Sequence, residues 1–178
     1  MRKFKLILDD VKEEQWLNDM ASQGWHFQKF RFPFYTFEKG EPGEYVYRTE
    51  MLENLGFGQE TKDYLAFIES TGIEVVQKRF SWAYFRQHTS KGAFELYSDA
   101  TSKLAYTQRI LSIYATVAIL NLALALINGF LVTTDAGSDW NEFIAGVNTG
   151  MFAVLIFPTL KAFFRKRNLK KEIELFEL

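Results

Sequence analysis

The chain has 178 residues, of which 48% are hydrophobic, 17% aromatic and 24% charged, a length that predicts one ordinary domain with a short additional segment. The 21 basic and 22 acidic residues give a formal net charge of -1, which provides no reason to expect a polyanion as the partner of the whole chain. Because the chain contains no cysteine, disulfides, thiolate zinc sites, iron–sulfur clusters and a cysteine nucleophile are excluded.

The N-terminal residues alternate strand and helix patterns. Phe4, Leu6 and Leu8 fall on one face of an extended segment, which is typical of a strand. Asp10 and Glu13 have the spacing of a capping box before an apolar helical pattern. The predicted elements are a strand at 3–8, a helix from Asp10 to Gly24, one long aromatic strand at 25–37, a turn at 40–43 and a strand at 44–49.

A shift of 48 residues superimposes the following segment on this one. The shift aligns Leu17 with Leu65, Gly24 with Gly72, Phe32 with Phe80, Phe34 with Trp82 and Phe37 with Phe85. The second copy predicts a helix at 61–71, a strand at 73–87, a turn at 90–92 and a strand at 94–97. The repeats cover about residues 10–50 and 58–98. We therefore expect an α+β fold with a pseudo-duplicated, ferredoxin-like antiparallel sheet that carries two helices on one side.

The strands are unusually rich in aromatic side chains, which suggests a binding face on the side of the sheet away from the helices. The candidate residues of this face are Phe30, Phe32, Phe34, Tyr45, Tyr47, Phe80, Trp82 and Tyr84. The alternative is that the face is covered by the hairpins, by a second copy or by a neighbouring helix. Nucleic acid is not expected as a partner, because residues 1–109 carry 15 basic and 16 acidic side chains.

Two segments without charge, 110–132 and 143–160, predict a transmembrane helical hairpin. As helices they would be about 34 Å and about 27 Å long, against a hydrocarbon core of about 30 Å. The predicted organisation is an α+β domain at 1–98, a juxtamembrane helix at 99–109, the first span, an external loop at 133–142, the second span and a basic tail at 161–178. Two buried helices of a soluble core are the alternative, which the lack of a polar stripe disfavours.

Basic residues predict the orientation of the hairpin. Lys103 and Arg109 precede the first span, six Lys and Arg lie between Lys161 and Lys171, and the connecting loop has none. We therefore expect a multi-pass membrane protein in contact with the lipid bilayer, with both termini in the cytoplasm.

Polar and small residues inside the spans predict helix packing. Asn128 and Asn148 both fall a few residues inside the outer interface, where they could bond across the hairpin. Gly146 and Gly150 have small-xxx-small spacing, which allows close approach of another helix in the same chain or in a second copy.

No sequence motif predicts catalysis. His26 and His88 are 62 residues apart without an acidic residue at metal-ligand spacing, and no Walker loop, G-x-S-x-G or H-E-x-x-H occurs. We predict no catalytic, cofactor-binding or metal-binding residues and no enzyme activity. An enzyme at the membrane surface is the third hypothesis. It would need a polar cluster in a pocket, and the residues that support it most are His26, Glu38, Arg48 and Arg86.

Several segments carry a family resemblance. The helix-to-strand segment EEQWLNDMASQGWHF, the turn YTFEKGEPGEYVYR, the segment KDYLAFIESTGIEVVQKRFSWAYFR and two apolar spans resemble an uncharacterised bacterial family of membrane-anchored proteins, classed as a domain of unknown function. The resemblance implies genes that often neighbour PadR-type regulators, but no site residues. We expect a membrane-anchored cytoplasmic binding, sensing or adaptor module in envelope or stress regulation, with a protein partner or self-association. An accessory subunit of a membrane transporter is the main alternative.

Overall fold

The computed structural model describes residues 1–97, 99–134 and 136–176. The chain forms two compact units, residues 1–98 and residues 99–178, which are described separately.

Within residues 1–97, the first unit contains six strands and two α-helices. They are β1 (Arg2–Phe4), α1 (Asp10–Ser22), β2 (Trp25–Arg31), β3 (Phe34–Lys39), β4 (Tyr45–Met51), α2 (Gln59–Ser70), β5 (Glu74–Arg79) and β6 (Trp82–His88), with 3-10 turns at Glu53–Gly56 and Thr89–Lys91. The N-cap of α1 is Asp9, whose carboxylate accepts a hydrogen bond from the Lys12 amide, so the cap precedes the predicted Asp10 by one residue.

The strands form two antiparallel sheets, and this confirms the α+β class. The order is β1-β3-β2 in the first sheet and β4-β6-β5 in the second. The expected single sheet is therefore divided into two, which lie side by side where the Gln77 side chain bonds both the N–H and the C=O of Phe30. At this edge the Gln77 side chain, rather than a neighbouring backbone, bonds the backbone of β2. The strands of the two sheets therefore do not form a β-ladder with each other.

The two long strands predicted at 25–37 and 73–87 are hairpins, which corrects the sequence analysis. The first turns at Phe32 and Pro33, because proline has no N–H to contribute to a sheet ladder. The second turns at Phe80, whose φ of 50° lies in the left-handed region. The strand predicted at 94–97 is not formed, and Phe94 is instead a buried member of the second core.

Each sheet is built by one βαββ unit. β1, α1, β2 and β3 form the first unit, and β4, α2, β5 and β6 form the second. The 48-residue shift relates α1 to α2 and each hairpin to its counterpart, including the β-bulges between Phe27 and Lys29 and between Val75 and Gln77. The strand predicted at 44–49 falls in the first repeat, from about 10 to 50, but β4 pairs with β6 and is therefore the first strand of the second unit.

Two apolar cores hold this unit together. The first joins Leu17 and Met20 of α1 to Phe27 and Phe37 of the first sheet. The second lies beneath α2 and contains Ile68, Phe85 and Phe94. The second sheet contributes to both cores, because Tyr47 and Tyr84 face the first while Ala83 and Phe85 face the second.

The second unit is an antiparallel pair of long helices, α3 (Ala100–Thr133) and α4 (Asp139–Phe176). Asp99 caps α3 by accepting a hydrogen bond from the Ser102 amide at 2.7 Å, and no break separates its polar start from its apolar part. Both helices are long and apolar enough to cross a membrane by length and composition. Only 17% of the apolar stretch of α3 and 11% of that of α4 are buried, unlike the core helices of soluble proteins.

The polar ends of the two helices pack on each other. The Arg165 guanidinium lies 5.4 Å from the centre of the Tyr106 ring, a cation–π contact between the start of α3 and the end of α4. α4 begins at Asp139, inside the predicted external loop, and continues through the predicted tail to Phe176. Asp135 of that loop lies outside the described residues.

Candidate functional site

The eight aromatic residues predicted to form one binding face are distributed over different surroundings. Tyr47 and Tyr84 are 0% and 3% exposed in the first core, and Phe30, Tyr45 and Trp82 pack against it. Phe34 lies on the other side of the first sheet. The regular alternation fails because each bulge moves the following side chains to the opposite face, so Phe30 stacks on Tyr35 at 4.4 Å.

The remaining two, Phe32 and Phe80, are at the tips of the two hairpins. They are 63% and 72% exposed, and each directly follows an arginine, Arg31 or Arg79. This Arg-Phe pair is part of the 48-residue repeat, so the same surface feature occurs once in each βαββ unit.

The two tips form one continuous surface. Phe30 lies between them, 6.3 Å from the Phe32 ring and 5.7 Å from the Arg79 guanidinium, which in turn lies 5.8 Å from the Phe80 ring. The Arg79 guanidinium also donates a hydrogen bond to the Phe30 carbonyl at 3.2 Å. The loop before α2 adds Phe57, which is 64% exposed, with the Lys78 ammonium 5.9 Å above its ring.

We call this surface the hairpin rim; it comprises Phe32, Phe57, Phe80, Arg31, Lys78 and Arg79. The position of its loop depends on Gly56, which has a φ of 77° and would place an added Cβ 2.3 Å from the Phe80 carbonyl oxygen. Only glycine fits there, because both the backbone conformation and the close approach exclude a side chain. At the edge of the first sheet, Phe4 is 68% exposed and packs on Phe34, which Arg2 also contacts at 4.1 Å.

A buried carboxylate lies at the centre of the first core. Glu13 of α1 accepts hydrogen bonds from the Tyr35 and Tyr84 hydroxyls, both at 2.8 Å, and so joins α1 to both sheets. Burial raises the pKa of Glu13, and the two hydroxyls only partly oppose this effect. The pKa of each tyrosine is also raised, first by burial and then by the nearby Glu13. All three groups are satisfied within the core, which makes the cluster a structural junction.

A second carboxylate, Glu50, is 3% exposed and holds α2 and the residues after β6. It accepts hydrogen bonds from the Tyr64 hydroxyl, at 2.5 Å, and from the Tyr97 hydroxyl. The sequence does not predict the burial of Glu50, because a single glutamate in a strand pattern has no local feature that indicates burial.

The two histidines, which are 62 residues apart, lie on either side of one ring. Tyr45 is 5.1 Å from His26 and 5.7 Å from His88, and the Arg86 guanidinium lies 4.4 Å above it. His26 is 3% exposed and bonds the Glu41 carbonyl at 2.9 Å, while Arg86 donates to both carboxylate oxygens of Glu74 at 2.8 Å. Through these contacts the polar side chains hold the first sheet against the second, at the end of the strands opposite the hairpin turns.

The other two residues of the enzyme hypothesis, Glu38 and Arg48, contact side chains outside it. Glu38 lies opposite His26 in the β2–β3 pair and accepts a hydrogen bond from Gln28, and the Arg48 guanidinium lies 3.4 Å from a Glu14 carboxylate oxygen. Within residues 1–97, 99–134 and 136–176, no group of three or more His, Cys, Asp or Glu could hold a metal ion.

Asn128 bonds across the helical hairpin to a different partner from the predicted one. It accepts a hydrogen bond from the Asn141 side chain at 2.9 Å, whereas the Asn148 amide donates to the Ile144 carbonyl of its own helix. Gly146 and Gly150 are exposed, and an added Cβ at either would meet no atom within 4 Å. These glycines therefore do not pack against α3.

The chain matches a known protein family. Residues 9–119 match the model of a family described as Protein of unknown function (DUF2812), a segment that begins at the cap of α1 and ends within α3. No curated protein and no solved structure matches the chain.

Proposed function

Since the chain belongs to the DUF2812 family of proteins of unknown function, its role has to be inferred from its own residues, and we propose that it is a membrane-anchored cytoplasmic binding, sensing or adaptor module. The observation that carries the proposal is the continuity of α3, which begins at Ala100 and extends without a break through a mostly exposed apolar stretch to Thr133. An aqueous protein would not expose Ile119, Leu126 and Phe130 by 64%, 65% and 66%.

The distribution of charge supports cytoplasmic termini in an inner membrane. Eight Lys and Arg residues flank the two apolar stretches on the side of the chain termini, and the connector carries only acidic charges. In this orientation the α+β unit is in the cytoplasm and the short connector is outside.

The polar interior of the α+β unit supports binding rather than catalysis. Glu13 and Glu50 accept hydrogen bonds from tyrosine hydroxyls, and Arg86 donates to the Glu74 carboxylate. The hairpin rim is exposed, and it offers apolar contact area and positive charge to a partner. We propose a protein partner or self-association for the module, and a role in bacterial envelope or stress regulation. The implied gene association with PadR-type regulators is in accord with such a role.

Exchange of the spans tests this function. Residues 110–160 would be replaced by an unrelated two-helix hairpin of equal length, and the partners cross-linked in cells would be compared with those of the original chain. A cytoplasmic module keeps its partners, because the α+β unit is unchanged. A transporter subunit loses them, because its functional surface is the spans. Recovery of the protein alone, with no partner and no ligand in native mass spectrometry, would contradict a binding module of either kind.

A further inference from the structure

The hairpin rim exposes three phenylalanine side chains next to one another. Phe32, Phe57 and Phe80 are each more than 60% exposed, and contacts through Phe30 and Arg79 connect the two tips. Contiguous apolar patches of this kind mark interaction sites on proteins. Because both tips carry the same Arg-Phe pair, the unit presents two equivalent points of contact.

The charges of the rim indicate the chemistry of its partner. Arg31, Lys78 and Arg79 lie among the phenylalanines. Two acidic residues are nearby, Glu53 in the 3-10 turn and Glu60 in the first turn of α2, and Glu60 accepts a hydrogen bond from the Asn54 amide. Basic side chains beside exposed aromatic rings are typical of surfaces that enter an anionic lipid headgroup layer, where the rings reach the acyl boundary and the cations meet phosphates. A convex turn with an aromatic tip needs no complementary pocket in such a layer.

Because the α+β unit is covalently joined to the proposed membrane helices, even a weak contact between the hairpin rim and lipid can be populated. α3 begins twelve residues after His88, the last residue of β6, so the α+β unit cannot leave the vicinity of the membrane surface. A short tether of this kind gives an effective concentration in the millimolar range. Contacts that would be negligible for a free domain therefore become populated.

We propose that the hairpin rim docks on the anionic lipid headgroups of the membrane that anchors the chain, with Phe32, Phe57 and Phe80 inserted and the three cations at the phosphates. This inference rests on the proposed membrane anchoring, and it specifies lipid as the occupant of the rim. When the rim is docked, the α+β unit is bound to the membrane surface, and the fraction of docked protein depends on the charge of the lipids.

The test uses the full chain in single-copy nanodiscs of phosphatidylcholine, with or without phosphatidylglycerol, and a photoreactive phosphatidylglycerol analogue with its diazirine in the headgroup. Cross-linked peptides are mapped by mass spectrometry. We expect cross-links at 30–34 and 78–82 in anionic discs. Phe67, which is 63% exposed on α2, is the internal comparison and should remain unmodified. Cross-links at residues near 110 and 160 report separately that the helices are in the bilayer.

Variants connect the cross-links to the rim. The double variant Arg31→Gln and Lys78→Gln should reduce the rim cross-links by up to about 30-fold, the effect of two cations at about 1 kcal/mol each. The matched double variant Lys39→Gln and Lys62→Gln removes the same charge elsewhere and should leave them unchanged. Phe32→Ser with Phe80→Ser should also reduce them, whereas Phe67→Ser should not.

Two results would overturn the proposal. One is rim labelling no stronger than that of the Phe67 surface while the helix ends are labelled, which would leave a protein as the partner of the rim. The other is equal labelling in neutral and anionic discs. Loss of the cross-links at the helix ends as well would instead contradict the membrane anchoring, so the two failures are distinguishable.

Discussion

The two βαββ units share a backbone and differ in how their helices are packed. Both have the same strand order, the same bulge position and the same turn position. α1 buries Glu13, Leu17, Met20 and Ala21 and contacts both sheets, whereas α2 buries only Thr61 and Ile68 and exposes Phe67. The repeated pattern therefore specifies the chain path, while a few unrepeated side chains determine which helix is central.

The largest difference is expected at the equivalent positions Glu13 and Thr61. Glu13→Ala removes the acceptor of two buried hydroxyls and leaves Tyr35 and Tyr84 unpaired, at a cost of about 4 kcal/mol. Thr61→Ala loses one hydrogen bond, to the Phe57 carbonyl, and should cost about 1 kcal/mol. Thermal unfolding in detergent, followed by tryptophan fluorescence, measures both. Equal losses would show that α1 is no more central than α2.

Gly24 and Gly72 end the two helices and provide the second comparison. Both have positive φ, but an added Cβ at Gly24 would lie 2.8 Å from the Gly40 carbonyl oxygen, and at Gly72 it would meet only the flexible end of Lys91. Gly24→Ala should therefore cost about 3 kcal/mol and Gly72→Ala about 1 kcal/mol. The same unfolding measurement applies, and a larger loss for Gly72→Ala would contradict the packing described for the first helix end.

Asn18 fastens α1 to the edge strand β4 and has no counterpart in the second unit, where the equivalent residue is Ala66. Its side chain accepts from the Tyr47 N–H at 2.8 Å and donates to the Tyr47 carbonyl at 3.0 Å. Asn18→Ala should cost about 2 kcal/mol, because two backbone groups lose a partner. It should also speed hydrogen exchange at the Tyr47 amide. Ala66→Ser is the control and should change neither quantity.

The smallest effect is a pH dependence. Burial holds the pKa of Glu13 above its ordinary 4.5, so the folded protein retains this proton more strongly than the unfolded chain. The resulting stabilisation is complete below pH 4.5 and is lost as pH rises through the folded pKa. Glu13→Gln keeps an oxygen acceptor for both hydroxyls without a charge. The melting temperature of this variant relative to the original chain should therefore increase with pH, and a constant difference would contradict the raised pKa.

The sequence could predict local elements better than the pairing of strands. The ends of the two helices at Gly24 and Gly72 depend on residues nearby in the chain, and the structure contains both ends as predicted. The structure also contains the repeat that the 48-residue shift predicts. The sequence pattern does not predict the turns at Pro33 and Phe80 or the two bulges, and each bulge reverses the faces of the residues after it. The Glu13–Tyr84 bond joins residues 71 positions apart, and the contacts of His26 and His88 with Tyr45 are equally non-local. Such contacts depend on the packed fold and have no local sequence signal.

The exposed hairpin tips show what the sequence predicts about the surface and what it does not. Phe32 and Phe80 were selected from the sequence as members of a larger aromatic face, and they are the two of the eight that are mainly exposed. Phe57 and Gly56 complete the same surface, although neither belongs to the predicted aromatic face. A repeated Arg-Phe pair at equivalent positions was the feature that could have identified the tips.

Labelling of introduced cysteines in intact cells tests the membrane anchoring most directly, because the chain has no cysteine of its own. A membrane-impermeant maleimide should modify Ser138→Cys, between the two helices, without lysis. It should modify Lys62→Cys, on α2, only after the membrane is opened. Protection of position 138 in intact cells, or recovery of the chain in the aqueous fraction without detergent, would contradict a hairpin that crosses the bilayer with the α+β unit inside.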